Sequence, residues 1–193
     1  MKLLKATLFT ALFATAGLAQ ADLIANVPLD VSRFEVMDIN ELTGRANQGN
    51  DHAQFYLAKR YQKGEGVAKN SLKAIEWYTR AAKQNVTPAQ LNLGIMYARG
   101  EGVAVNEQQA RYWLERAAKR GDTRASYTLA LIDEKQRKLV DAYKWYELAA
   151  RDGMLNDEVR TKARGKIGQL ALNLSSSDVA TARNQADSWF QSK

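Results

Sequence analysis

The feature that most constrains this chain is that it repeats itself. Residues 53–88 align with residues 89–124 without a gap, and 17 of the 36 positions are identical. Unrelated segments of ordinary composition would share about two or three. A third copy starts at Ala125. Leu129 answers Leu57 and Leu93, and Ala142, Trp145, Ala149 and Ala150 then answer Ala110, Trp113, Ala117 and Ala118, but 32 residues later instead of 36. Four residues are therefore missing from the loop inside that copy. A period of this length means a stack of similar units, each unable to bury its apolar face alone.

Each copy reads as two helices. Ala53, Leu57 and Tyr61 share one face of a first helix, at i, i+4 and i+8. Gly64-Glu65-Gly66-Val67 breaks it, with Gly64 suited to the left-handed conformation that closes a helix. Ala74, Trp77, Tyr78, Ala81 and Ala82 form the stripe of a second helix. The start signals agree: Asn70 and Asn106 can cap the second helices. Thr87-Pro88-Ala89-Gln90 reads as a Thr N-cap with Pro at N1 and Gln at N3. No segment alternates with period two, so the expected fold class is all-α. The Ala-Ala pairs let backbones approach, and Trp77, Trp113 and Trp145 on the Ala-x-x-Trp stripe fill the space between neighbours.

The ends depart from the repeat. Asp38-Ile39-Asn40-Glu41 resembles a capping box, and Leu42 to Gly49 the end of a second helix. Ala163, Ile167 and Gly168 restart the spacing of Ala89, Leu93 and Gly94 after a longer linker, Met154 to Val159. Ser175-Ser176-Ser177 then breaks the chain before a last amphipathic helix, Val179 to Phe190. The division expected is a leader at 1–21, an arm at 22–37, an N-terminal capping helix at 38–52, repeats at 53–88, 89–124 and 125–156, and C-terminal capping helices at 157–193.

The pattern A-x-x-x-L-G-x-x-Y-x-x-G-x-G-V, followed by A-x-x-W-x-x-x-A-A, resembles the Sel-one-like repeat (SLR) family, relatives of the tetratricopeptide repeats. Ala89, Leu93, Gly94, Tyr97, Gly100, Gly102, Val103, Ala110, Trp113, Ala117 and Ala118 carry it in the second copy. The first copy has Ala58 where the second has Gly94. The third has Asp133 where the second has Tyr97, and it lacks the G-x-G-V loop. The resemblance implies a right-handed superhelical solenoid of about four helix hairpins. It also implies an adaptor that binds other proteins without catalysis, its first helices lining a concave groove. Leu57, Tyr61, Gly64, Gly66, Trp77, Leu93, Tyr97, Gly100, Gly102, Trp113, Leu129 and Trp145 would be the residues that hold the repeats together.

On that basis three rows, each spaced by 36 residues, would face the groove. Phe55, Leu91 and Tyr127 form one, Lys59, Ile95 and Leu131 the next, and Lys63, Arg99 and Lys135 the last. The result is an apolar groove with a basic stripe, suited to a peptide carrying carboxylates on an apolar backbone. Lys63 and Arg99 also lie in the last turn of their helices, where a cation offsets the macrodipole. Lys83, Lys119 and Arg151 stand at the ends of the second helices, which favours the dipole explanation.

Export follows from the N-terminus. Met1-Lys2-Leu3-Leu4-Lys5 is basic, Ala6 to Gly17 is uncharged and apolar, and Leu18-Ala19-Gln20-Ala21 offers an A-x-A exit, the three parts of a secretory leader. The run is too short for a membrane span, so no span is expected once the leader is cleaved after Ala21. The chain would be periplasmic or secreted, and a monomer. Removing Lys2 and Lys5 with the leader lowers the net charge from +7 to +5, and outside the cytoplasm that charge points away from nucleic acid and toward an envelope protein. The alternative is an anionic envelope glycan such as peptidoglycan.

Little in the chain suggests catalysis. Cysteine is absent, which removes disulfides, thiolate metal sites and a Cys nucleophile. His52 is the only histidine and cannot form a His pair for a metal. No G-x-S-x-G elbow exists. The two G-E-G loops lack the G-K-[ST] ending of a phosphate cradle. No enzyme activity, cofactor or metal is expected.

Overall fold

The computed structural model describes residues 33–151 and 157–191. The expected leader, residues 22–32 of the arm, residues 152–156 and residues 192–193 lie outside them, and residues 157–159 of the expected linker are helical. Every element found among the described residues is helical: α1 (Arg33–Val36), α2 (Ile39–Asn47), α3 (Asp51–Lys63), α4 (Ser71–Lys83), α5 (Thr87–Arg99), α6 (Glu107–Lys119), α7 (Thr123–Lys135), α8 (Leu139–Ala150), α9 (Asp157–Ala171) and α10 (Ser176–Gln191). The short α1 is part of a unit that ends at Val36, and the helices from α2 to α10 form a second unit.

Local chemistry sets most helix ends. Asn50, Asn70 and Asn106 each accept, on the side-chain oxygen, the backbone N–H three residues on, at 2.8, 2.9 and 3.0 Å. Gly64 and Gly100 close α3 and α5 in the left-handed region, at φ of 80° and 72°. Asp38 caps α2 by accepting from Asn40 N–H at 2.8 Å. Glu41 does not complete a capping box; it is drawn to Arg45 at 2.9 Å. The Ser175 hydroxyl accepts from Asp178 N–H, while the Asp178 carboxylate accepts from Ser175 N–H. That reciprocal cap starts the last helix at Ser176, three residues earlier than its apolar pattern suggests.

The start of α5 corrects one expectation. Its N-cap is Val86, without a side-chain hydrogen bond, so Thr87 and Pro88 already lie inside the helix. Gln90 does not reach back to a cap. It is fully buried and donates to Ala82 O at 3.0 Å, as Gln54 donates to Ala46 O at 3.1 Å. The glutamine that recurs every 36 residues thus satisfies a carbonyl of the preceding helix, where an unpaired buried acceptor would cost about 1–3 kcal/mol.

Consecutive helices pack serially from α2 to α9. The apolar stripe of each hairpin is covered by the next, as a stacked repeat requires. Leu57, Leu93 and Leu129 are fully buried, and so are Ala81, Ala82, Ala117 and Ala149. Trp77, Trp113 and Trp145 are buried as well. Side chains of this size cost roughly 3–5 kcal/mol when cut back to Ala in a core. The stack closes differently at its C-terminal end, where both α9 and α10 pack on α8. Ala182 and Ala186 of α10 are buried in the core, and Trp189 meets Trp145 edge-on with centroids 4.9 Å apart.

The shortened third copy is closed by a tight turn, Gln136-Arg137-Lys138, with Arg137 at φ 62° and Lys138 N–H bonded to Asp133 O at 2.9 Å. Asp133, in the place of Tyr97, is buried and paired with Arg111 of α6. Arg111 also holds Glu107 at 3.0 Å, and Glu107 is bonded in turn to Gln136. A polar replacement in the repeat has thereby been met by a cation on the neighbouring hairpin.

Candidate partner-binding face

The helices α3, α5 and α7 present equivalent positions, and the three expected rows fall on them with unequal exposure. In the first row Leu91 is a correction: it is 3% exposed and belongs to the core. Phe55 is half-buried, edge-on to Tyr56 at 5.1 Å and tilted against Tyr78 at 5.9 Å. Tyr127 is half-buried and edge-on to Tyr146 at 5.4 Å. This row is packed down as a floor.

The second row is graded. Lys59 is half-buried with its ammonium 5.6 Å from the Tyr56 ring centre. Ile95 is partly buried against the core. Leu131 is 42% exposed.

The third row carries its cations on the surface, and two of them are matched locally. Lys63 lies 3.3 Å from Glu65 and Arg99 3.5 Å from Glu101. Both carboxylates come from the G-E-G loop that ends the helix. The third copy lacks that loop, and Lys135 has no ion-pair partner among the described residues. The same four-residue deletion that shortens the repeat therefore leaves one cation of the row unmatched.

Between these rows runs a set of polar residues that periodicity did not single out. Tyr78 donates to Gln62 at 2.9 Å and accepts from Asn92 at 3.0 Å, and Gln62 donates to Glu101 at 3.3 Å. In the third copy Tyr146 donates to Glu134 at 2.5 Å, and Lys166 of α9 donates to the same carboxylate at 2.8 Å. Burial pushes both tyrosine hydroxyls well above their usual range. Burial would raise Glu134 too, but the hydrogen bonds from Lys166 and Tyr146 outweigh it and hold the carboxyl below its ordinary value. The signal available in the sequence was the Tyr that follows Trp in the first and third copies. The second copy has Leu114 there, facing Gly94 so closely that an added Cβ would lie 2.6 Å from Leu114 Cγ.

A hollow of 320 Å³ opens where α5 ends and α7 ends, lined by Ala98, Val105, Glu107, Ile132, Lys135 and Gln136. Val105 stands out at 66% exposure. Glu107 is held by Arg111, whose hydrogen bond lowers its pKa against a smaller effect of burial. The free charge at this hollow is thus the Lys135 ammonium, beside apolar walls. Elsewhere, His52 is exposed with its Nδ1 2.8 Å from Asp51. The described residues contain no cluster of metal-ligating side chains and no helix long and apolar enough to cross a membrane.

The chain is similar to known proteins of one kind. The model of the Sel1 repeat matches residues 51–86, 87–122 and 135–154. The third match leaves out the stretch where Asp133 stands. A solved Sel1 repeat protein from Oxalobacter formigenes is 37% identical, with a TM-score of 0.54, the alignment covering 66% of this chain and 98% of that one. Another solved structure, a protective antigen of uropathogenic Escherichia coli strains described as displaying an SLR fold, is 26% identical with a TM-score of 0.48. There the alignment covers 79% of this chain and 40% of the antigen. No curated protein matches.

Proposed function

Because this chain belongs to the Sel1 repeat family, whose members generally mediate protein–protein interaction, we propose that it is an exported, non-catalytic adaptor that binds a partner protein on the face carried by α3, α5 and α7. The observation that carries the reading is the hollow beside Lys135, where apolar walls meet an unmatched ammonium. Such a site suits an apolar side chain followed by a carboxylate on a partner segment. Apart from Val105, its walls are helix ends held by the stack, so little ordering cost falls on binding. Lys63 and Arg99 contribute less, because each keeps an acidic neighbour from its own loop. The leader pattern at 1–21 supports a periplasmic or secreted location.

The test is a photo-crosslinking residue placed at Leu131, with a control at Glu115 of α6, in cells that export the protein. A partner trapped from position 131 alone, and lost when Lys135→Glu is added, supports the reading. Lys63→Glu is expected to weaken the adduct much less. Equal capture from both positions, or capture indifferent to Lys135→Glu, refutes it. Mass measurement of the mature protein tests export: the expected N-terminus is Asp22, and an intact leader counts against it.

A further inference from the structure

A second feature lies on the other helix of the hairpin and is independent of the adaptor reading. A hollow of 290 Å³ is lined by Arg116, Lys119 and Arg120, at the C-terminal end of α6. A water molecule occupies about 30 Å³ in the liquid, so the space admits a tetrahedral oxyanion with its hydration.

Comparison with the preceding repeat explains why these cations are free. Position 80 of the first copy corresponds to position 116 of the second. Arg80 is neutralised by Glu76, one turn earlier, at 2.6 Å. The residue equivalent to Glu76 is Tyr112, and the residue equivalent to Gln84 is Arg120. Moving one period along the stack thus deletes the carboxylate that Arg80 uses and adds a cation, while Thr79 becomes Glu115, which pairs with none of the three cations among the described residues. None of Arg116, Lys119 and Arg120 has an ion pair among the described residues.

Two of the three side chains are also held in place. The Arg116 guanidinium lies over the rings of Tyr112 and Trp113, at 5.6 and 6.0 Å from their centroids, and donates through one terminal nitrogen to Asn85 Oδ1 at 3.2 Å. Asn85 makes that contact from a left-handed turn residue, φ 69°, at the end of α4. The Arg116 Nε is buried and has no acceptor among the described residues. Lys119 rests with its ammonium 5.3 Å from the ring centre of Trp189. A helix C-terminus accounts for one or two cations through its dipole. It does not account for three cations that line one hollow without an ion pair among the described residues.

We propose that Arg116, Lys119 and Arg120 form a binding site for a phosphate dianion, either free or as a monoester on a larger molecule. A lone carboxylate would leave two of the three cations uncompensated. A phosphate offers three or four acceptor oxygens and up to two charges, and arginine forks match that geometry.

The experiment is a titration of the full-length mature chain at constant ionic strength with inorganic phosphate and, separately, with glycerol phosphate. It is followed by NMR of the Arg116 Nε–H and the Trp189 indole N–H. Saturable shifts of both signals are expected. Equal affinity for the two probes assigns the site to the free anion, and tighter binding of the ester assigns it to a phosphorylated partner. Tyr112→Glu rebuilds the ion pair of the first repeat and is expected to weaken binding at least about tenfold, with the helical spectrum retained. Arg120→Gln, which restores the residue of the first repeat, provides the same test should Tyr112→Glu fold poorly. Shifts that do not saturate, or binding undiminished by either variant, would overturn the assignment.

Discussion

The pair between Arg111 and Asp133 makes the sharpest prediction about stability. The side chain of Asp133 is 1% exposed and that of Arg111 24%, so the two partners are not equivalent. Replacing Arg111 with Met strands a charge in the core, and Asp133 Oδ2 already lacks a hydrogen bond. Breaking a buried pair in this way costs about 3–5 kcal/mol, and the partial exposure of Arg111 places the expected loss near 3. Replacing Asp133 with Asn leaves an arginine that still reaches water and still holds Glu107 at 3.0 Å, so the expected loss is about 1–2 kcal/mol. The preceding repeat interface has Ile75 and Tyr97 at the corresponding positions. The double variant Arg111→Ile/Asp133→Tyr should therefore lie within about 1 kcal/mol of the parent, or above it, since well-packed apolar pairs often replace buried ion pairs without loss. In a domain of this size about 3 kcal/mol corresponds to a fall in Tm of roughly 6–12 °C. Urea unfolding followed by circular dichroism and by tryptophan fluorescence measures all three, and coincident transitions check that the stack unfolds as one unit. An Arg111→Met loss no larger than that of Asp133→Asn would refute the argument from burial. So would a double variant as unstable as the sum of the singles.

Two further outcomes follow from the loops and the polar network. Gly66 and Gly102 both sit at positive φ, but a Cβ on Gly102 would lie 2.5 Å from Ser71 Cβ, whereas one on Gly66 meets nothing nearer than the end of Arg60 at 3.5 Å. Gly66→Ala should cost about 1–2 kcal/mol for the left-handed backbone, and Gly102→Ala a further 1–3 kcal/mol or so for the clash; equal losses in thermal melts would contradict this. The carboxyl of Glu134 is held below its ordinary value of 4.5, so its contribution is complete above that pH and disappears as the pH falls through the lowered value. The stability gap between the parent and Glu134→Gln should accordingly close in acid, and a gap that stays constant from neutral pH down to about pH 3 would rule the linkage out.

The sequence by itself determined the repeat, its two-helix unit, and most of the residues that define it. Periods of 3.6 and 36 residues are properties of the chain alone, and Ala, Leu and Trp at those periods leave one way to bury them. The asparagine caps and Gly64 were equally legible, because a cap acts within four residues of the backbone it serves. The tertiary structure decided what depends on neighbours from other repeats. It buried Leu91 in the core while leaving its equivalents one period away, Phe55 and Tyr127, half-buried. It turned Asp133 from a lapse in the pattern into half of an ion pair whose other half lies 22 residues earlier. It also sorted the basic row: loop carboxylates hold Lys63 and Arg99, and the deletion in the third copy leaves Lys135 unmatched. Whether a charge is free depends on what stands within about 4 Å of it in space, and sequence spacing reports that only along a single helix face.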